Sequence, residues 1–138
     1  EPQPTTVLTC EGPIVVEPKK ILCQGAVQAR GYDAQGRPDP DGLSLDTKNM
    51  LIDRTPKGLV DKIRADTDVV FRWSGTHGTC DSLVIDLTEE TMRAKGSTKP
   101  ALIQLPNAKL TAQQVNYNYR TKMSACWRGN FKQLPTAK

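Results

Sequence analysis

Short runs of alternating apolar and polar residues dominate the chain, and few stretches keep a helical period. Residues 6–10, 14–16 and 21–29 read as strands, punctuated by Glu11-Gly12-Pro13 and Glu17-Pro18-Lys19-Lys20, where proline fixes φ and removes a donor. Further strands are predicted at 69–73, 101–105, 115–119 and 123–131, the last broken at Gly129. One short helix is predicted near 56–64. Thr55 would cap it, Pro56 suits its first turn, and Leu59, Val60 and Ile63 would share a face. For 88–96 two readings stand: a hairpin turn, or a short helix capped by Thr88 and ended by Gly96. The pattern predicts an all-β antiparallel sandwich or barrel of roughly eight to ten strands with that one helix.

Residues 31–42 are rich in Gly, Pro and Asp and form the longest predicted loop. A calcium loop fails there, because Arg37 and Lys48 would occupy two ligand positions. Plain turn chemistry accounts for the segment. Residues 43–50 and 83–92 look alike, and each precedes an aromatic strand, at 69–73 and 115–119. Two similar half-domains would produce this, as would chance; if the match holds, 46–49 and 88–90 are equivalent hairpin turns.

A length of 138 residues fits one domain over 1–138, with 1–5 as a short exposed leader. No apolar run approaches the ~18 residues of a membrane helix. Cys10, Cys23, Cys80 and Cys126 match no zinc spacing, and their even number predicts two disulfides, Cys10–Cys23 and Cys80–Cys126 being the favoured pairing. That implies an oxidising compartment, secreted or periplasmic.

Candidate chemistry is sparse. No Walker A, dinucleotide or nucleophile-elbow motif occurs, so no cofactor is expected, and one histidine excludes a multi-histidine metal site. His77 lies three residues before Cys80 and four before Asp81, which keeps a small secreted hydrolase as an alternative. The favoured reading of His77 is an exposed glycine-flanked turn. The paired acids Asp66/Asp68, Asp39/Asp41 and Asp81/Asp86 sit in turn-like sequence, where Asp bonds locally.

Charge changes the picture most. Residues 91–138 hold nine Lys/Arg and no Asp or Glu, whereas residues 1–90 hold all fifteen acids. Tyr117 and Tyr119 would share one strand face, with Asn116, Asn118, Arg120 and Lys122 on the other. The expected binding set is Arg93, Lys95, Tyr117, Tyr119, Arg120, Lys122, Arg128 and Lys132. Exposed, the tyrosines would stack on a ligand with cations at the rim; the competing reading turns them into the core. The sequence therefore predicts a non-catalytic extracytoplasmic binding domain whose basic third meets an anionic polymer, a membrane surface or an acidic protein, nucleic acid being disfavoured. A structural subunit of an envelope assembly, marked by an uncovered apolar edge, is the further alternative.

Overall fold

A computed structural model describes residues 5–135. Among the described residues there are twelve antiparallel strands: β1 (Thr5–Thr9), β2 (Ile14–Val16), β3 (Lys20–Tyr32), β4 (Ser44–Arg54), β5 (Val60–Trp73), β6 (Thr76–Asp86), β7 (Thr91–Lys95), β8 (Ala101–Leu105), β9 (Ala108–Ala112), β10 (Gln114–Asn118), β11 (Ser124–Trp127) and β12 (Asn130–Gln133). The expected leader, apart from Thr5 at the start of β1, lies outside the described residues.

Four long strands, β3 to β6, run side by side and carry the architecture. The register of β3 on β4 shifts between Gln24 and Val27, that of β4 on β5 between Asp46 and Asn49, and that of β5 on β6 between Asp66 and Val69. A bulge bends and twists its strand, so a line of bulges folds the sheet across its middle. On one side β2, β7, β10 and β11 complete a first layer; on the other β1, β8, β9 and β12 complete a second. The inward rows face each other as one core, with Leu83, Ile85, Met92 and Val115 in the first layer and Val27, Leu45, Phe71 and Ile103 in the second.

The bend is built from unusual backbone. Gly25 and Ala26 both take positive φ, as do Thr67 and Asp68. Buried Thr47 ties two of the irregularities together: its hydroxyl lies 2.9 Å from the Asp66 carbonyl and 3.0 Å from that of Thr67. The single hydroxyl proton serves one of these carbonyls at a time, which tethers β4 to β5 at the bend.

The predicted helix near 56–64 is a turn running into a strand. Gly58 donates to the Thr55 carbonyl at 2.8 Å and has φ +85°, and Leu59 donates to the Thr55 hydroxyl at 3.2 Å. Thr55 thus closes a hairpin instead of capping a helix. Leu59 is 65% exposed, whereas Ile63 and Ala65, two apart, are buried. Period two wins because β4 needs β5 as its ladder partner. At 88–90 the hairpin reading holds: Asp86 Oδ1 accepts from Thr88 and Glu89, and β7 follows. Residues 46–49, by contrast, are a bulge inside β4, so they are not the counterpart of that turn. In the 31–42 loop Asp33 and Asp39 accept from backbone N–H groups two residues on, the turn chemistry expected of Asp.

Candidate functional site

The two layers close on each other at one side only. There β10 packs on β8 and β9 across the layers, and β11 on β9. Toward β1 and β3 the layers part and leave an apolar cleft of about 400 Å³. Ile21, Ile52, Val60, Ile63, Ile85 and Leu87 wall it from the first layer, and Leu8, Ala29, Tyr32, Leu43 and Trp73 from the second. Leu8, Ile21, Leu43, Trp73 and Leu87 are only partly buried, so the cleft presents apolar surface to solvent. Asp39 is its one charged lining residue among the described residues. Such a cleft can take an apolar chain; it offers no cation of its own to an anionic headgroup.

Trp73, in the wall of the cleft, is backed by an aromatic cluster. Trp73 packs on Tyr119 with ring centroids 4.4 Å apart, and Tyr119 meets Tyr117 edge to face at 4.8 Å. Thr76 donates to the Trp73 carbonyl at 2.7 Å, so Tyr119 donates to Thr76, 2.6 Å away. Tyr117 is 5% exposed and Tyr119 8%. The stacking platform expected of these tyrosines is therefore absent: they belong to the core. Burial pushes the Tyr119 phenol up to about 12 and also raises Tyr117.

The predicted cations are all exposed but not together. Arg93 and Lys95 lie on the outside of the first layer, and Lys132 on β12 at the edge of the second. Arg120 and Lys122 sit in the β10–β11 connection, and Arg128 in the β11–β12 turn. Arg120 pairs with Glu90 at 3.0 Å. The basic third thus folds into no single basic face, because consecutive strands are dealt to different layers.

His77 is an exposed residue of β6, not of a turn; the turn is Ser74-Gly75 just before it. Asp81 accepts from the Ser97 backbone at 2.5 Å and its hydroxyl at 2.9 Å, which holds its carboxyl below the usual range. It anchors the β7–β8 connection rather than orienting His77. Cys80 is buried, and desolvation drives its thiol up to about 12, away from nucleophilic use.

All four cysteines are free thiols, against the two disulfides expected. Strand adjacency does bring Cys10 beside Cys23, whose thiol is raised first by burial and then by Cys10. Cys10 directs its thiol to the Gly12 carbonyl at 3.2 Å. Cys126 lies in register with Val115, Ala94 and Leu83, three strand spacings from β6 and out of row with Cys80.

The buried phenol and thiol set an alkaline limit. Both pKa values are raised in the folded state, so the unfolded chain loses these protons first as pH rises. Their stabilisation is complete below the unfolded values, near 9 for Cys80 and 10 for Tyr119, and is lost as pH climbs to about 12. Urea melts at pH 8, 10 and 11 should show a falling midpoint, and Cys80→Ala should delay the onset of that fall.

The cleft residues escaped sequence reading because they come from five different strands. The available signal was apolar residues abutting turns, Leu43 after Gly42 and Leu87 before Thr88, where a soluble strand normally turns polar.

No family model matches the sequence, and no curated protein does. Among solved structures, one that matches is LptH from Pseudomonas aeruginosa, described as the LptA-homologous periplasmic component of the conserved lipopolysaccharide transport device. The two share 6% identity over 95% of this chain and 96% of that one, with a TM-score of 0.72. At that identity the likeness is one of fold, and the chain is an antiparallel β-jellyroll of the kind LptH has.

Proposed function

We propose that this chain is a non-catalytic, periplasmic binding module of an envelope assembly, and that it shelters the acyl chains of an anionic envelope lipid between its layers. The observation that carries this reading is the open apolar cleft, whose volume falls within the about 300–1,000 Å³ of typical small-molecule sites. Its walls come from strands shared by both layers, so the fold holds it open without a ligand. Support comes from LptH, a component of a lipopolysaccharide transport device with the same fold. The edges support an assembly role. Ile14, Val15 and Val16 on β2 and Phe131 on β12 are exposed on strands at the sheet margins, surfaces suited to pairing with another chain.

The test uses the apolar fluorophore N-phenylnaphthylamine, displaced by purified lipopolysaccharide. Wild-type protein should bind the dye and release it to the lipid. Leu43→Glu and Leu87→Glu, on opposite walls, should each weaken both by at least about tenfold, because a carboxylate in an apolar wall is strongly disfavoured. Val16→Glu, outside the cleft, should change neither. Dye binding unaltered by both wall variants, with normal melting, would defeat the proposal.

A further inference from the structure

The outer face of the second layer carries a row of cations assembled from distant parts of the chain. In register across neighbouring strands lie Arg30, Ser44, Arg72, His77, Gln104, Lys109 and Lys132. From Arg72 to Lys132 the row spans roughly 19 Å, four strand spacings of about 4.8 Å. Asp46 neutralises Arg30 at one end, at 2.7 Å. Among the described residues Arg72, Lys109 and Lys132 take part in no ion pair.

Two further observations single this face out. Lys109 and Lys132 stand directly opposite each other on paired strands, an arrangement that costs stability and that packing does not require. The adjoining outer row runs from Asp46, which pairs with Arg30, through Val70, Thr79, Leu102, Thr111 and Asn130; past Asp46 it holds no charge, and Val70 and Leu102 are 52% and 50% exposed. Acids flank this face at its margins, Asp46 opposite Val70 and Asp68 and Asp81 beside Val70, Thr79 and Leu102, whereas the row from Arg72 to Lys132 contains none.

We propose that this face docks on a membrane surface rich in anionic phosphate headgroups, the cation row meeting phosphates while Val70 and Leu102 enter the headgroup boundary. A broad sheet face with cations in one row and apolar side chains in the next matches a planar anionic interface. The surface is separate from the cleft and stands without it.

The experiment is flotation with vesicles of phosphatidylglycerol and phosphatidylcholine, against phosphatidylcholine alone. Wild-type protein should float with the anionic vesicles only, and less so at high salt. Each basic residue near such a surface is worth roughly fivefold in partitioning, so R72Q/K109Q/K132Q should reduce it at least thirtyfold. Because the like-charge pair disappears, the triple variant should melt no lower than wild type, which separates lost docking from lost folding. R93Q/K95Q, on the other layer, should float nearly as wild type does. L87E should also float normally, so failure of the cleft reading and failure of this one are distinguishable. Wild-type protein that ignores anionic vesicles, or equal losses for variants of both layers, would overturn the proposal; in the first case an acidic protein becomes the partner to test.

Discussion

Tyr119→Ala is expected to destabilise the protein by roughly 3–5 kcal/mol, the range for aromatic-to-alanine changes in cores. The ring lies between Trp73 and Tyr117, at centroid distances of 4.4 and 4.8 Å, and is 8% exposed. Its removal takes away two aromatic contacts and opens a cavity behind the wall of the cleft. Tyr119→Phe keeps the ring and loses only the 2.6 Å bond to Thr76. That loss should cost about 1–2 kcal/mol, since Thr76 still donates to the Trp73 carbonyl. Denaturant melts of the pair separate packing from hydrogen bonding. Equal effects would mean that the bond to Thr76, not the stack, holds this end of the core. Loss of the stack should also loosen Trp73, so Tyr119→Ala should weaken apolar dye binding even under conditions where it remains folded.

The same residue shows where sequence reading stopped. Alternation places Tyr117 and Tyr119 on one face of a strand, and the structure has them so. Which face looks inward depends on strands far away in sequence: Met92 opposite Tyr117, and Trp73 and Thr76 against Tyr119. Short strands bounded by Gly and Pro were legible for the same reason that β2 was, since Ile14-Val15-Val16 stands between two proline turns. The helix near 56–64 was misread because Leu59, Val60 and Ile63 satisfy a helical face by spacing alone, and the competing ladder partner is not visible locally. The fold of the sheet across its middle left little trace. Gly25 hints at positive φ, but Ala26, Thr67 and Asp68 adopt it only because the layers demand it. Net charge misled in a related way. Residues 91–138 are basic along the chain, yet β7, β10 and β11 enter one layer and β8, β9 and β12 the other. The cation row that does form recruits Arg72 from the acidic half, a neighbour of His77 only through strand register.

Gly78→Ala should be among the most damaging single methyl additions, costing about 3 kcal/mol or more, at the upper end of overpacking effects. Gly78 sits on β6 opposite Ile103 of β8. A Cβ there would run into the Leu102 carbonyl oxygen, and would lie 2.8 Å from Ile103 Cδ1 and 3.0 Å from Ile103 Cα. Two of these three obstacles are backbone, which cannot rotate aside, so the strand itself must move. The consequence spreads because β8 is the link by which β9 and β12 reach the long strands. Hydrogen exchange should therefore accelerate in β8, β9 and β12 together, while β3 to β5 in the first layer keep their protection. The functional readouts should divide along the same line. The cleft is walled by β1 and β3 to β6 and the segments adjoining them, so dye binding should persist. Lys109 and Lys132 ride on the displaced strands, so flotation with anionic vesicles should fail. A Gly78→Ala protein that melts and floats like wild type would show that β8 tolerates the methyl group, and that the cation row does not depend on the close seating of β8 on β6.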